Sequence, residues 1–423
     1  HFNYFGFEWI HPWSYTGMNM HFAALGVLAF LITIGFCYRI ATILFFLGFT
    51  YVFLLNQTQY LNHFYLICLI SFLLILIPAH CAGSVDAWLR PNLRRRHVSG
   101  WALRLLQVQI AIVYFYGGVA KINADWLNCR PVADWISRRT DLPFIGPWLA
   151  EPAAGWIVAY GGLAFDLAVV PLLCWRKTRP YAFVVAMLFH LTNSQLFHIG
   201  VFPWFMMAAT AMFFRPDWPR KLLPGRIGGK PLAADSSPLS RWQRAGVAFT
   251  VVYLALQMAI PLRHFIYPGK PSWNELGHRF SWRMKLRSKQ GKVGFVVTNP
   301  RSGNSWWYDT GSVLSGRQVN KMTARPDMLL QFAHFIRDEY RQKGIDDVEV
   351  RVETWITLNG HECRRLIDPT VNLAAQPRTL RTPHWIVPFD AEWNTSWPSI
   401  GRLFTRRLSG RRTVGIMHWR ETE

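Results

Sequence analysis

The most constraining feature of this chain is a series of apolar runs, each near the length that crosses a membrane. Spanning a hydrocarbon layer of ~30 Å takes roughly 20 mostly apolar residues in a helix. Such runs lie at about 17–36, 40–55, 63–79, 102–120, 155–175 and 245–262. The longer stretch 181–214 is interrupted by NSQLFHIG, so we divide it into two short helices. The runs predict a polytopic α-helical membrane protein with about eight spans.

The composition agrees with a lipid environment. Of the 423 residues, 51% are hydrophobic and only 17% are charged, which is poor in charge for a soluble protein. The net charge of +22 is spread over short segments between apolar runs, as in the loops of membrane proteins, so we expect no nucleic-acid partner. The six cysteines have no zinc-type spacing. We therefore predict no metal site and interpret them as small buried hydrophobes.

The basic loops predict an orientation. Arg39 and the segments 90–97, 176–179 and 215–226 fall on one side of the membrane when 181–214 is counted as two helices. Because Lys and Arg are retained on the cytoplasmic side, we expect these loops to be cytoplasmic. The segments NQTQYLNH and NSQLFHIG, the start of KINADWLN and everything after Leu262 then face outward.

The chain divides into three regions by pattern. Residues 1–266 hold the apolar runs, and because the chain begins at His1 rather than Met we expect missing N-terminal residues upstream. Residues 267–389 alternate in strand-like fashion around one amphipathic helix, PDMLLQFAHFIRDEYRQKG, which predicts an outward-facing α+β domain rich in strands. Residues 390–423 form a basic tail.

Lys121 is the most informative polar residue, because it ends an apolar run behind Gly117 and Gly118. One interpretation is a snorkelling lysine, whose methylenes lie along lipid while the ammonium reaches the headgroups. The other is a buried amine whose pKa is lowered by desolvation, so that it acts as a general base. In the second case, the glycines allow close approach of a helix or ligand, and Tyr116 is among the aromatic residues that exclude water.

Other polar residues fall at the same predicted depth. Polar groups inside membrane helices are costly and usually face a cavity or a partner. The set comprises His63, which we also consider as an interfacial histidine, together with Asp166, His190, Asn193 and Gln195. Several helices with polar residues at one depth predict an outward-facing polar pocket.

Several segments resemble a known family. The stretches TQYLNHFYL, GGVAKINADWL, FHLTNSQLFHIGVFPWF and ELGHRFSWRMKLR are similar, in order and spacing, to the vitamin K-dependent gamma-glutamyl carboxylase family and its bacterial relatives with an HTTM membrane domain. The resemblance extends from about Tyr15 to Phe389.

The resemblance implies a reaction and its residues. A lysine base, here Lys121, deprotonates vitamin K hydroquinone, and oxygenation to the 2,3-epoxide drives γ-carboxylation of a glutamate side chain with CO2. His63 is implied to assist this step. His190 and Asn193 are implied to line the quinol pocket, and from their positions in the sequence we expect Gln195, Tyr116, Gly117 and Gly118 to line it as well. Phe280, Trp282 and Arg283 match the stretch associated with glutamate-substrate binding.

The expected cofactor is vitamin K hydroquinone or a menaquinol, with O2 and CO2 as co-substrates. The expected partners are membrane lipid and a glutamate-containing peptide or protein. The basic tail and the low acidity suggest a bacterial inner-membrane protein with a periplasmic C-terminal domain, or a lumenal domain in an ER membrane if the source is eukaryotic. Two alternatives stay open: a quinol epoxidase that lacks carboxylation, and a non-catalytic quinone-binding or transport protein.

Overall fold

The computed structural model describes residues 2–95, 100–197, 199–215, 218 and 240–390. Most of the basic segment 215–226, the last two residues of the basic segment 90–97 and the tail beyond Asp390 lie outside the described residues. The described residues form two compact units, one running up to Ser288 and including Pro377–Pro383, and one comprising Lys289–Gln376 and the described residues from His384 onward. Residues 267–288, grouped by their sequence pattern with the C-terminal domain, lie in the first unit.

The first unit is helical. Its longer helices are α1 (Tyr15–Ile34), α2 (Tyr38–Leu55), α3 (Asn62–Leu76), α5 (Gly100–Val119), α9 (Pro152–Cys174), α10 (Arg179–Leu196), α11 (Phe202–Thr210) and α12 (Arg241–Leu262). Its short helices are α4 (Val85–Leu89), α6 (Ala124–Leu127), α7 (Val132–Ser137), α8 (Gly146–Leu149) and α13 (Pro271–Asn274).

Five helices are long and apolar enough to cross a membrane. They are α1, α2, α5, α9 and the segment Gln243–Ile266, which contains most of α12. The expected count of eight is not confirmed. Helices α3 and α11 are apolar but shorter, and α10 carries the polar residues of HLTNSQL in its last two turns. The expected division of 181–214 into two helices is confirmed, because α10 ends at Leu196 and α11 begins at Phe202.

Local hydrogen bonds explain where several helices begin and end. The Ser14 hydroxyl accepts the Gly17 N–H at 3.2 Å at the start of α1, and Gly35, with φ 65°, ends that helix in the left-handed conformation. The Asp86 carboxylate accepts the N–H groups of Cys37 and Tyr38, each at 2.9 Å, at the start of α2. A carboxylate at a helix N-terminus satisfies orphan donors and complements the helix dipole.

Helix α5 lies at the centre of the unit. In its most apolar window 61% of the residues are buried, against 6–33% in the other four candidate spans. Its inward residues Ile110 and Val113 pack with Leu66 of α3, Leu173 of α9 and Met206 of α11. Most of α5 therefore packs against other helices of the first unit.

A late segment of the chain returns to the first unit. Arg378 donates to the Asn3 carbonyl at 2.9 Å and forms an ion pair with Glu8. These contacts explain why Pro377–Pro383 groups with the helices although the residues on both sides of it belong to the second unit.

The second unit contains a three-stranded antiparallel sheet of order β2-β1-β3. The strands are β1 (Lys289–Thr298), β2 (Ser305–Tyr308) and β3 (Glu349–Leu358), and α14 (Gly316–Thr323) and α15 (Pro326–Gln342) lie between β2 and β3 in the chain. Phe295 of β1 pairs with Tyr308 and Val352, and its ring contacts Phe332 of α15 at a centroid distance of 5.0 Å. The strands and amphipathic helix expected from the sequence are confirmed.

Candidate active site

Lys121 lies in the turn that follows α5 and points into the first unit. Its Nζ forms an ion pair with Asp166 of α9 and donates to the Gly117 carbonyl at 3.2 Å. Lys121 and Asp166 are each only 7% exposed. A snorkelling lysine would hold its ammonium among headgroups, whereas this amine is held against a buried carboxylate.

Two glycines let α5 and α9 approach closely enough for this pair. A Cβ at Gly117 would lie 3.1 Å from Asp166 Oδ2 and 3.1 Å from the Met284 methyl, and one at Gly118 would lie 2.6 Å from the Leu167 side chain. The glycines at these positions therefore act first in helix packing, with Asp166 and Met284 occupying the space above Gly117.

Trp126 forms one wall beside the amine. The Lys121 Nζ lies 5.2 Å from the centroid of the Trp126 ring. The indole Nε1 donates to the Ala159 carbonyl of α9 at 2.9 Å, which fixes the ring. Asn123 supports the arrangement, because its side chain accepts the Trp126 N–H at 3.1 Å and so begins α6. An ammonium over an aromatic face is stabilised by the ring quadrupole.

His190 and His63 meet at one phenylalanine ring. His190 Nε2 shares a hydrogen bond of 2.7 Å with the Tyr114 hydroxyl, and the ring is 2% exposed. Among the described residues its Nδ1 has no hydrogen-bond partner. The Phe202 ring lies 6.4 Å from His190 and 5.9 Å from His63, centroid to centroid. The His190 ring also contacts Phe165, the residue before Asp166 in α9. Helix α9 therefore contacts both His190, through Phe165, and Lys121, through Asp166.

The segment Phe280–Met284 packs into the same unit. Trp282 is fully buried and stacks on Tyr65 of α3 at 5.1 Å, and Phe280 contacts the Tyr65 ring at 4.9 Å. The Phe280 N–H donates to the Tyr60 hydroxyl at 2.6 Å. Phe280 and Trp282 have φ of 60° and 54°, a left-handed conformation that costs bulky residues about 1–3 kcal/mol each. Packing of both rings into the helices offsets that cost.

Two of the expected pocket residues are directed elsewhere. The Tyr116 hydroxyl donates to the Met258 carbonyl of α12 at 2.6 Å. Gln195 is exposed, and its side-chain amide contacts the Ser194 hydroxyl at 3.4 Å. Asn193 is half-buried one turn beyond His190. The structure thus brings Lys121, His190 and His63 into one connected region, whereas the Tyr116 hydroxyl and the Gln195 amide bind groups outside it.

Sequence reasoning missed two members of this region. Phe202 lies between the two histidines, and Met284 reaches Gly117. Met284 is two residues from Trp282, so the segment that resembles the family's substrate stretch carried a usable signal. Phe202 lies in the stretch FHLTNSQLFHIGVFPWF, which also resembles the family, so a similar signal was present there.

Two family models match the chain. One, described as the HTTM domain, matches residues 1–218, and the other, described as the lumenal domain of the vitamin K-dependent gamma-carboxylase, matches residues 242–392. The chain belongs to the vitamin K-dependent gamma-carboxylase family. This confirms the resemblance seen in the sequence. No solved structure matches the chain.

The residues of the candidate site in this carboxylase-family protein come from both matched regions. Lys121, His63 and His190 lie in the HTTM match, and Trp282 lies in the lumenal-domain match. All four belong to the first compact unit. Membership indicates a membrane protein with a C-terminal domain of the lumenal type, carboxylase chemistry and use of vitamin K hydroquinone. Within the described part of the chain, no group of three or more His, Cys, Asp or Glu side chains is placed to hold a metal.

Proposed function

We propose that this protein couples oxygenation of a quinol to γ-carboxylation of glutamate in a peptide or protein, with Lys121 as the base that starts the reaction. The observation that carries the proposal is the position of the Lys121 amine, buried against Asp166 and facing the Trp126 ring. A polar pair of this kind in an aromatic, water-poor setting is typical of acid–base chemistry rather than of membrane anchoring.

The residues around the pair fit a hydroxylated aromatic ring. Tyr114 and Phe165 are in ring contact. Both belong, with Trp282, to the cluster of buried apolar residues around Ile110 and Val113 of α5. Within the described residues, His190 Nδ1 and Trp282 Nε1 are buried without hydrogen-bond partners. Buried polar groups are normally satisfied, so an unpaired donor or acceptor in such a cluster suits a ligand hydroxyl. A hydroquinone held there would, with O2, supply the strong base that removal of a glutamate γ-proton requires.

The Lys121–Asp166 pair can hold one proton in two ways. With the proton on Nζ the pair is an ion pair, and with the proton on the carboxyl both groups are neutral. In the neutral form the amine lone pair accepts the proton of a ring hydroxyl. The ammonium that results is stabilised by the Trp126 face.

Arg283 is the proposed contact for the substrate carboxylate. Its Nε is buried and, among the described residues, lacks a hydrogen-bond partner. Burial lowers the pKa of Arg283 from 12.5 to about 10, and the nearby charge of Arg287 acts in the same direction while Glu275 opposes it. The guanidinium thus stays protonated at neutral pH and can pair with a glutamate carboxylate. Arg287 is already paired with Glu275 at 2.7 Å.

The test is an assay of both half-reactions. Purified full-length protein in detergent receives reduced vitamin K or a menaquinol, O2, labelled bicarbonate and a short glutamate-containing peptide. Epoxide and labelled peptide are measured for the wild type and Lys121→Ala, with Lys177→Ala, an exposed lysine beyond α9, as the control. We expect both products from the wild type and Lys177→Ala and neither from Lys121→Ala.

The other outcomes separate the alternatives. Epoxide without labelled peptide would favour the quinol epoxidase. Neither product from folded wild-type protein, with quinol binding retained, would favour a quinone-binding or transport protein. Equal activity of Lys121→Ala and wild type would remove Lys121 from the mechanism.

A further inference from the structure

A second candidate site lies at the opposite end of α5. A cavity opens where α2 and α5 begin and α3 ends. Its volume of about 520 Å³ is within the range of small-molecule binding sites. Ala102 lines this cavity, whereas Gly117 lies beside the Lys121 pair, a separation of about 22 Å along the helix at 1.5 Å per residue. The cavity is therefore distinct from the candidate active site. Its lining includes Arg39, His80, Asn92, Arg95, Leu76 and Trp101.

The charge of the cavity is positive. Arg39 and Arg95 contribute two guanidinium groups, and no Asp or Glu is among the described residues that line it. The Asp86 carboxylate acts electrostatically on His80, but its two oxygens accept the N–H groups at the start of α2. The arginines are thus not neutralised by an acidic lining residue.

His80 adds a buried, unsatisfied group. It is 8% exposed, and its ring stacks on Tyr38 at a centroid distance of 5.0 Å. Its Nδ1 has no hydrogen-bond partner in the described part of the chain. Burial lowers the pKa of His80, and the charges of Arg39 and Arg95 act in the same direction against the opposing charge of Asp86. A neutral imidazole retains one N–H, which can donate to an anion.

We propose that this cavity binds a phosphate group, carried either by a membrane phospholipid or by a small phosphate compound. Arginine presents a planar set of donors that matches phosphate oxygens, and His80 and Asn92 add neutral donors beside it. Leu76 and Trp101 provide apolar surface next to the charges, which suits the glycerol and first acyl carbons of a lipid. Basic residues that flank membrane spans are common, but they do not by themselves require a buried histidine with an unpaired ring nitrogen beside the same cavity.

The test compares ligands that differ only in the phosphate. The unfolding midpoint of full-length protein in a neutral detergent is measured with dioctanoyl phosphatidic acid, with dioctanoylglycerol, and with inorganic phosphate against chloride at equal ionic strength. A ligand that binds the folded state raises the midpoint with its concentration. We expect an increase with phosphatidic acid and none with dioctanoylglycerol. An equal increase with inorganic phosphate identifies a free phosphate compound as the ligand source, and none identifies the lipid headgroup.

Three variants make the assignment specific. Arg39→Gln and Arg95→Gln should each weaken phosphatidic acid binding at least tenfold, measured against the variant's own ligand-free midpoint. Arg90→Gln, an exposed arginine outside the cavity lining, should bind as the wild type does. Arg39 also donates to the Ile75 carbonyl, so Arg95→Gln keeps the test valid if Arg39→Gln folds poorly. Equal shifts with phosphatidic acid and dioctanoylglycerol, or equal losses in Arg90→Gln and Arg95→Gln, would overturn the proposal.

Discussion

At the scale of single residues, the Lys121–Asp166 pair decides both stability and the proposed chemistry. Removing one member of a buried ion pair leaves an uncompensated charge, whereas replacing both by apolar residues of similar volume is often neutral. These two effects can be separated from catalysis, because catalysis needs the amine itself. A double-substitution cycle therefore distinguishes a structural pair from a functional one.

We expect Lys121→Met and Asp166→Leu each to cost about 3–5 kcal/mol of stability, since each leaves its partner buried and unpaired. The double variant should recover most of this loss. Epoxide formation should be absent in Lys121→Met and in the double variant, even where the unfolding midpoint has returned to the wild-type value. Recovery of activity together with stability would show that the pair acts only in folding.

A second residue-scale prediction concerns Arg283. Arg283→Gln removes the charge proposed to meet the substrate carboxylate, and hydrogen bonds to charged groups contribute about 1.5–3 kcal/mol. We expect KM for the glutamate peptide to rise at least tenfold. The matched control is Arg301→Gln, an exposed arginine in the turn between β1 and β2. An unchanged KM in Arg283→Gln would exclude this residue from substrate binding.

At the scale of elements, the contact of α5 with α9 positions the pair. The Cβ of a larger residue at Gly118 would lie 2.6 Å from the Leu167 side chain, and overpacking of this kind typically costs 1–3 kcal/mol. We expect Gly118→Val to lower the unfolding midpoint and the activity. Adding Leu167→Ala should restore part of both, because it opens the space that the valine methyls need.

Gly161 provides the control for that experiment. It lies in the same helix pair, on α9, but a Cβ there has no neighbour within 4 Å. Gly161→Ala should leave activity unchanged and raise stability by roughly 0.5–1 kcal/mol, since alanine is the better helix former. If Gly118→Val were as harmless as Gly161→Ala, close helix packing would not explain the glycine pair.

Sequence patterns predicted most of the elements but not how they meet. Apolar length and interruption located the helices, and alternation located β1, β2 and β3, because these signals are local. The partner of Lys121 was not predictable, since Asp166 is 45 positions away and only helix packing joins them. For the same reason the left-handed path of Phe280–Trp282 into the helices was missed: it depends on contacts with Tyr60 and Tyr65.

At the scale of the whole molecule, the sequence predicts cytoplasmic basic loops in the first unit and an outward-facing second unit. Cys37 and Cys174 are exposed at helix ends in the predicted cytoplasmic loops, while Cys68, Cys81, Cys129 and Cys363 are buried. The exposed Ser302 lies in the turn between β1 and β2 of the second unit. The thiols of Cys37 and Cys174 can thus report the cytoplasmic side of the membrane, and a cysteine introduced at Ser302 can report the outer side.

We expect a membrane-impermeant thiol reagent to label Ser302→Cys in intact spheroplasts. Cys37 and Cys174 should react only after permeabilisation, because the basic loops around them are retained in the cytoplasm. The variant Cys37→Ser with Cys174→Ser supplies the background for Ser302→Cys. Labelling of Ser302→Cys only in permeabilised cells would reverse the orientation.

The contacts of Arg378 with Asn3 and Glu8 determine when the first unit can be completed during translation. Arg378 and Glu8 are 370 positions apart, so at about 5–20 residues per second the ribosome needs roughly 20–75 s to make the arginine after the glutamate. During that interval the amino-terminal segment has emerged without its partner. The last contacts of the helical unit therefore form only after strands β1 to β3 have been translated. A chain whose synthesis stops before Arg378 lacks the contacts of that arginine with Asn3 and Glu8.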